Sequence, residues 1–276
     1  MTDFDRYWET VDDELRRLPA RPVLEKVPAR TTDDYTFYDV WLTSAGPYRI
    51  FGYLSVPTGP GPFPAVLETP RYGSVNQVPH HNDRLRYLVF TVAHRGQRRA
   101  DTPFAAAYPG LFTRGIEAPV SYVYRGIVAD CLRGAEFLLS RDDVDRDRVA
   151  VSGDDELALF TAARRPGFTA LRVDGPLFYR ILESQPEELA DHLRVHPDAA
   201  GAVADTLSYF DPVRHAPDVA ATTLLAADDA SWYEPLAGAL PDAAIYPLTH
   251  EDAADNNTLD AWLAGQLGVE PMTRFR

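Results

Sequence analysis

Hydrophobic positions along the chain follow two periods, and the switches between them outline the fold. From residue 35 the period is two: Tyr35-Thr36-Phe37-Tyr38-Asp39-Val40-Trp41-Leu42 is rich in aromatic and strand-favouring residues. Ala45-Gly46-Pro47 reads as a turn, and residues 48–56 resume the alternation, which predicts an antiparallel hairpin. Short apolar runs then predict strands over residues 64–68, 87–92, 149–153, 222–227 and 244–246. Between them the period lengthens. Val128, Cys131, Leu132, Ala135, Leu138 and Leu139 recur at helical spacing over 127–140. Residues 157–163 begin another helix, and 259–267 predict a terminal one. Strand alternating with helix predicts an α/β architecture, a mostly parallel sheet with helices on both faces. Ligand sites on such sheets lie at the carboxyl ends of the strands.

Two stretches stand outside the alternation. Residues 1–34 read as a peripheral arm: Tyr7-Trp8 and the Leu15/Leu18 spacing suggest one short helix, which Pro19, Pro22 and Pro28 then break. Residues 176–217 are helix-like, acidic and Pro-bearing, and read as a cap inserted over the sheet edge, within one domain spanning residues 1–276.

Composition narrows the classes. With 276 residues, 45% of them hydrophobic, the chain can bury one large core. A formal net charge of −14 repels phosphate backbones, so neither nucleic acid nor an anionic membrane is an expected partner. Lys26 is the only lysine among many arginines, the bias of a GC-rich bacterial genome. Cys131 is the only cysteine, which excludes an intramolecular disulfide and a cysteine metal cluster. Residues 1–17 carry no apolar leader and no run approaches 18 apolar residues, so a cytoplasmic protein is expected. The His80-His81 pair with Asp83 fits no standard metal spacing. No metal and no cofactor are expected, and the natural partner is a small-molecule substrate.

Three segments carry candidate chemistry. In Val149-Ala150-Val151-Ser152-Gly153-Asp154-Asp155-Glu156-Leu157, a strand turns sharply into a helix. That is the geometry of the nucleophile elbow, written G-x-S-x-G, whose tip side chain stands above the sheet. Gly153 matches the first glycine, Asp155 takes the nucleophile position, and Leu157 replaces the second glycine. The strand at 222–227 ends in Asp228-Asp229, where an acid would orient a histidine; Asp229 fits the spacing better and Asp228 is the alternative. His250 comes after the last strand, where the general base sits, and the order nucleophile, acid, histidine is that of α/β-hydrolases.

With these in place the chain resembles a family, the acetyl xylan esterase and cephalosporin-C deacetylase group, carbohydrate esterase family 7. Arg95-Gly96-Gln97 matches its R-G-Q motif, with Arg98 next in this chain. Thr113-Arg114-Gly115-Ile116, Tyr122-Val123-Tyr124-Arg125 and Asp130 match the run before the elbow helix. Val144-Asp145-Arg146-Asp147-Arg148-Val149 matches the lead-in to the elbow strand, and Leu207-Ser208-Tyr209-Phe210-Asp211 the exit from the cap. The resemblance covers most of residues 35–268 and implies the α/β-hydrolase fold, a small-molecule ester substrate and, from the family's habit, a homo-oligomer. The departures fall on the catalytic machinery. Where the family has S-Q-G-G, this chain has Asp155-Glu156-Leu157-Ala158; where it has H-G-Y, Pro70-Arg71-Tyr72.

Each candidate has a plain reading beside the chemical one. Asp155 is either a nucleophile toward an sp³ carbon or, with Asp154 and Glu156, an acidic helix start worth about 1 kcal/mol through capping. Arg71 either grips an anionic substrate group or pairs with the acids of the elbow. Trp232, beside Tyr233, either lines the pocket or packs its rim. Leu157 is expected to crowd the turn, and Arg95 to pair with nearby acids. Tyr72, Arg71, Glu156 and Trp232 are therefore the expected substrate-binding set, and Asp155, His250 and Asp229 the expected catalytic set. Ordinary acetyl-ester hydrolysis is disfavoured. The leading expectation is Asp/His chemistry on a small organic substrate, for example in secondary metabolism. The alternatives are a non-catalytic relative that binds a ligand or partner, and a lyase or isomerase using the same groups.

Overall fold

A computed structural model describes residues 2–73 and 78–273. Helix α1 (Asp3–Arg17) opens the chain, capped by the Thr2 side chain, and buries Phe4, Tyr7, Trp8, Val11 and Leu15 along one face. The prolines predicted to end it do so, but the chain then forms a strand, β1 (Val23–Lys26), not featureless arm. It pairs antiparallel with β2 (Tyr35–Ser44), which forms the predicted hairpin with β3 (Tyr48–Pro57).

The parallel part is built from β4 (Phe63–Glu68), then α2 (His81–Arg86) and β5 (Leu88–Ala93), then the long helix α3 (Val123–Leu139) and β6 (Val144–Gly153). Helix α4 (Leu157–Arg164) leads to β7 (Ala170–Asp174). The predicted insertion is helical: α5 (Ile181–Ser184), α6 (Glu187–Val195), α7 (Ala200–Ser208) and α8 (Pro212–His215) lie between β7 and β8 (Thr222–Ala227). Helix α9 (Ala230–Ala239), β9 (Ala243–Pro247) and α10 (Asp252–Gln266) complete the chain. The sheet order is β1-β2-β3-β5-β4-β6-β7-β8-β9. The first three strands run antiparallel to their neighbours, and β5 onward are parallel. This is the mostly parallel α/β sheet that the alternation predicts, in the arrangement that the resemblance implies.

Two buried features brace the sheet near the elbow. Arg95, just after β5, grips Asp130 of α3 with Nε at 2.9 Å and Nη2 at 2.8 Å, and its guanidinium stacks over Tyr48 at 5.0 Å. Asp130 is fully buried, so the R-G-Q turn is a structural clamp, as expected for Arg95. Gly153, at the end of β6, faces β4: a Cβ there would lie 2.1 Å from Thr69 Oγ1. Only glycine lets the two strand ends approach that closely. Among the described residues, no helix is long and apolar enough to cross a membrane.

Candidate functional site

The elbow forms where β6 stops and α4 starts, at the carboxyl ends of the parallel strands. Asp155 lies in the turn between them and is only 8% exposed. The turn is relaxed. None of residues 154–156 adopts a left-handed φ, although six other non-glycine residues among those described do. Leu157 does not crowd it: it begins α4 and packs into the core. Nor does Glu156, at the N-cap of α4, make a side-chain capping bond.

The two carboxylates reach outward to neighbouring loops instead. Asp155 Oδ2 accepts the Tyr72 N–H at 2.5 Å. Glu156, 1% exposed, accepts the Phe178 N–H at 3.1 Å. Burial pushes the Asp155 carboxyl up to about 6, against the Tyr72 N–H, which favours the charge; Asp154 pushes it further up and Arg71 pulls it down. Burial pushes Glu156 up to about 8, and the Asp155 charge beside it adds to the rise. Glu156 is therefore mostly protonated at neutral pH, while Asp155 is mostly ionised.

Tyr72 is fixed at both ends. Its hydroxyl donates to Glu188 of α6, whose other oxygen accepts the Gly110 N–H at 2.8 Å. Its ring packs edge-on against Tyr108 and Phe112. Elbow, β4 loop and helical insertion are thus joined by one chain of hydrogen bonds. Arg71 takes the second of its two expected roles: it is 65% exposed and faces Asp154 at 3.9 Å. Such an exposed pair contributes about 1 kcal/mol or less.

Among the described residues, no hydrogen bond joins the three expected catalytic side chains. His250 is 71% exposed, and among the described residues no hydrogen bond or ion pair joins it to Asp155. Its loop is held by Asp255, which accepts the His250 N–H, the Thr249 N–H and hydroxyl, and the Tyr246 hydroxyl. That anchoring sets His250 in a left-handed φ of 63°. The acid opposite it is Asp228, not Asp229: Nε2 lies 4.0 Å from Asp228 Oδ1, too far for a hydrogen bond. Asp229 instead caps α9, accepting the Ser231 and Trp232 N–H groups.

Trp232 is a rim residue, with Arg180 stacked on it at 4.1 Å. Its neighbour Tyr233 is the inward one. Burial, Asp228, Glu156 and Asp155 together push its hydroxyl up to about 12, because it stands between the elbow acids and the β8 end. Asp174, at the end of β7, pairs with Arg172 at 3.3 Å and completes the acidic floor. Asp174 and Glu188 left no readable mark in the sequence. Tyr233 did, as an aromatic just past the Asp228-Asp229 strand end.

Comparison with known proteins agrees with this geometry of fold. The acetyl xylan esterase (AXE1) family profile matches residues 1–231. Acetyl esterase Axe7A of Xylanibacter ruminicola is 25% identical over 232 residues, 78% of this chain and 53% of that protein. The chain thus spans about half the length of that curated relative. An acetyl xylan esterase from Paenibacillus sp. R4 superposes with a TM-score of 0.78 at 25% identity, covering 96% of this chain and 95% of that one. Acetyl xylan esterase 1 from Thermoanaerobacterium sp. JW/SL YS485 gives a TM-score of 0.78 at 19% identity over 96% and 93% of the two chains, a likeness of fold. The chain belongs to the acetyl xylan esterase (AXE1) family and carries its α/β-hydrolase fold.

Proposed function

We propose that this chain is a non-hydrolysing member of its family, which keeps the elbow as a small-molecule binding site and has lost acetyl transfer. One observation carries the reading: the Tyr72 N–H is bound by the protein's own Asp155 carboxylate at 2.5 Å. In an elbow hydrolase, an N–H from the corresponding loop and one just after the nucleophile hold the oxyanion of the reacting ester. Here the first of these is occupied before any ligand arrives. Removing one such donor costs on the order of 100-fold or more in rate. The nucleophile slot meanwhile holds a carboxylate, whose attack on an ester gives a mixed anhydride. No positioned base stands ready to resolve it, because His250 faces solvent.

The test is hydrolysis of p-nitrophenyl acetate and 4-methylumbelliferyl acetate. The expected rate equals that of buffer. Turnover that Asp155→Asn abolishes would overturn the reading. The Asp-nucleophile alternative has its own support: Asp155 is ionised above about pH 6, and its second oxygen has no protein donor among the described residues. Its signature is an epoxide adduct on Asp155, seen by mass spectrometry. The carboxylate oxygen would bond the epoxide carbon as the ring C–O bond breaks and the alkoxide takes a proton. With no base to hydrolyse it, that ester would accumulate. An unmodified mass after incubation removes this alternative.

A further inference from the structure

The helical insertion borders an open cavity of about 610 Å³ that the elbow chemistry does not use. Its walls are apolar: Phe178 and Tyr179 after β7, Ala204 and Leu207 of α7, Val213 of α8 and Pro235 of α9. Its volume lies within the range of small-molecule sites. Neither Asp155, Tyr72 nor His250 lines it. Tyr179 is the partition, with its ring 5.2 Å from that of Tyr233 on the elbow side.

The polar groups at the cavity are nearly all committed. Arg180 donates Nε to Glu183 at 2.9 Å, donates Nη2 to the same carboxylate, and lies over the Trp232 ring. Ser208 donates its hydrogen to the Asp205 carbonyl at 2.6 Å. Asp211 accepts the Val213 N–H at 3.0 Å with one oxygen, and its other oxygen has no protein donor among the described residues. Asp211 and Ser208 thus keep acceptor capacity open to a ligand. The molecule's net charge of −14 favours a cationic ligand further.

The wall at α5 is also strained. Arg180 at φ 50° and Gln185 at φ 38° bracket it, both left-handed without being glycine. Leu182 between them stays 44% exposed. Such strain concentrates at ligand clamps. We infer that this cavity binds an amphipathic amine, its apolar body against Phe178, Tyr179 and Leu207 and its ammonium on Asp211. The inference is independent of the elbow reading.

The experiment is calorimetric titration at pH 7 with 1-naphthylmethylamine, 1-naphthalenemethanol and 1-naphthoate. The amine should bind saturably at one site, the alcohol about fivefold or more weaker, and the carboxylate not at all. Ala204→Trp, which fills the cavity, should weaken the amine about tenfold or more. Asp211→Asn keeps the helix cap and should reduce the amine to the affinity of the alcohol. Near-UV circular dichroism checks that both variants are folded. Absence of saturable amine binding overturns the inference, as does equal binding of the carboxylate. An unchanged Kd in folded Ala204→Trp or Asp211→Asn does the same. So does loss of binding in Asp155→Asn alone, which would put the amine at the elbow.

Discussion

Replacing Glu156 by glutamine should stabilise this protein at neutral pH, because the native elbow must hold Glu156 protonated where the unfolded chain has released that proton. The Glu156 carboxyl is 1% exposed, and burial with the adjacent Asp155 charge pushes it to about 8 from an ordinary value of 4.5. Between those two values the native state holds a proton that the unfolded chain has released. Stability therefore falls as pH rises through that window, and the loss is complete only above about 8. Each pH unit removes up to about 1.4 kcal/mol, so the penalty at pH 7 is about 3 kcal/mol.

Glutamine has the shape of the protonated acid and keeps a carbonyl oxygen for the Phe178 N–H at 3.1 Å. Because the Asp155 and Glu156 titrations interact, some of the penalty moves to Asp155, and a gain on the order of 2 kcal/mol is expected at pH 7. Urea unfolding of both proteins between pH 4.5 and 8 measures it. The gain should shrink to nothing by about pH 4.5. A gain that is flat with pH, or that grows toward acid, would refute the reasoning. Either result would mean that the Phe178 N–H holds an ionised carboxylate without penalty.

Other expectations rest on single contacts. Asp130→Ala strands the Arg95 guanidinium 15% exposed, and should cost about 3–5 kcal/mol in urea unfolding. Gly153→Ala drives a methyl to within 2.1 Å of Thr69 Oγ1 and should cost about 1–3 kcal/mol, part of it recovered when Thr69→Ala removes that oxygen. Tyr72→Phe removes the hydroxyl that donates to Glu188 and should cost about 1 kcal/mol in thermal unfolding. His250→Ala, at an exposed side chain, should stay within about 0.5 kcal/mol of the natural chain.

The parts of the fold legible in the sequence are those where burial tracks a period. In β2, Tyr35 and Phe37 are buried on one face and Val40 and Leu42 on the other, and each pair keeps the two-residue spacing that marks a strand. β7 escaped notice because Arg172 and Asp174 interrupt its apolar run; each hides its charge in the other at 3.3 Å. β1 escaped because all four of its residues are exposed, so its hydrogen bonds to β2 leave no hydrophobic signature. At the site, sequence order located the elbow and the loops, since strand ends are marked by turns. It did not say which way a loop residue faces. His250 is turned by four donors converging on Asp255, and Asp229 is drawn off to the start of α9 by two N–H groups. Those are choices among nearby polar partners, to which hydrophobic periodicity is blind.

The departures at the elbow reinforce one another electrostatically. A site that transfers acyl groups must be short of negative charge at rest, because negative charge develops there in the transition state and preformed donors wait for it. In this chain the elbow already contains the charge. Asp155 sits buried on the donor, Asp154 and Asp174 stand close by, and the one nearby guanidinium on the β4 loop, Arg71, leans outward to Asp154. A serine at position 155 would free the Tyr72 N–H but would leave the acidic floor and the exposed imidazole as they are. At the elbow, then, the loop N–H that would welcome an anion is satisfied from within, by a buried carboxylate.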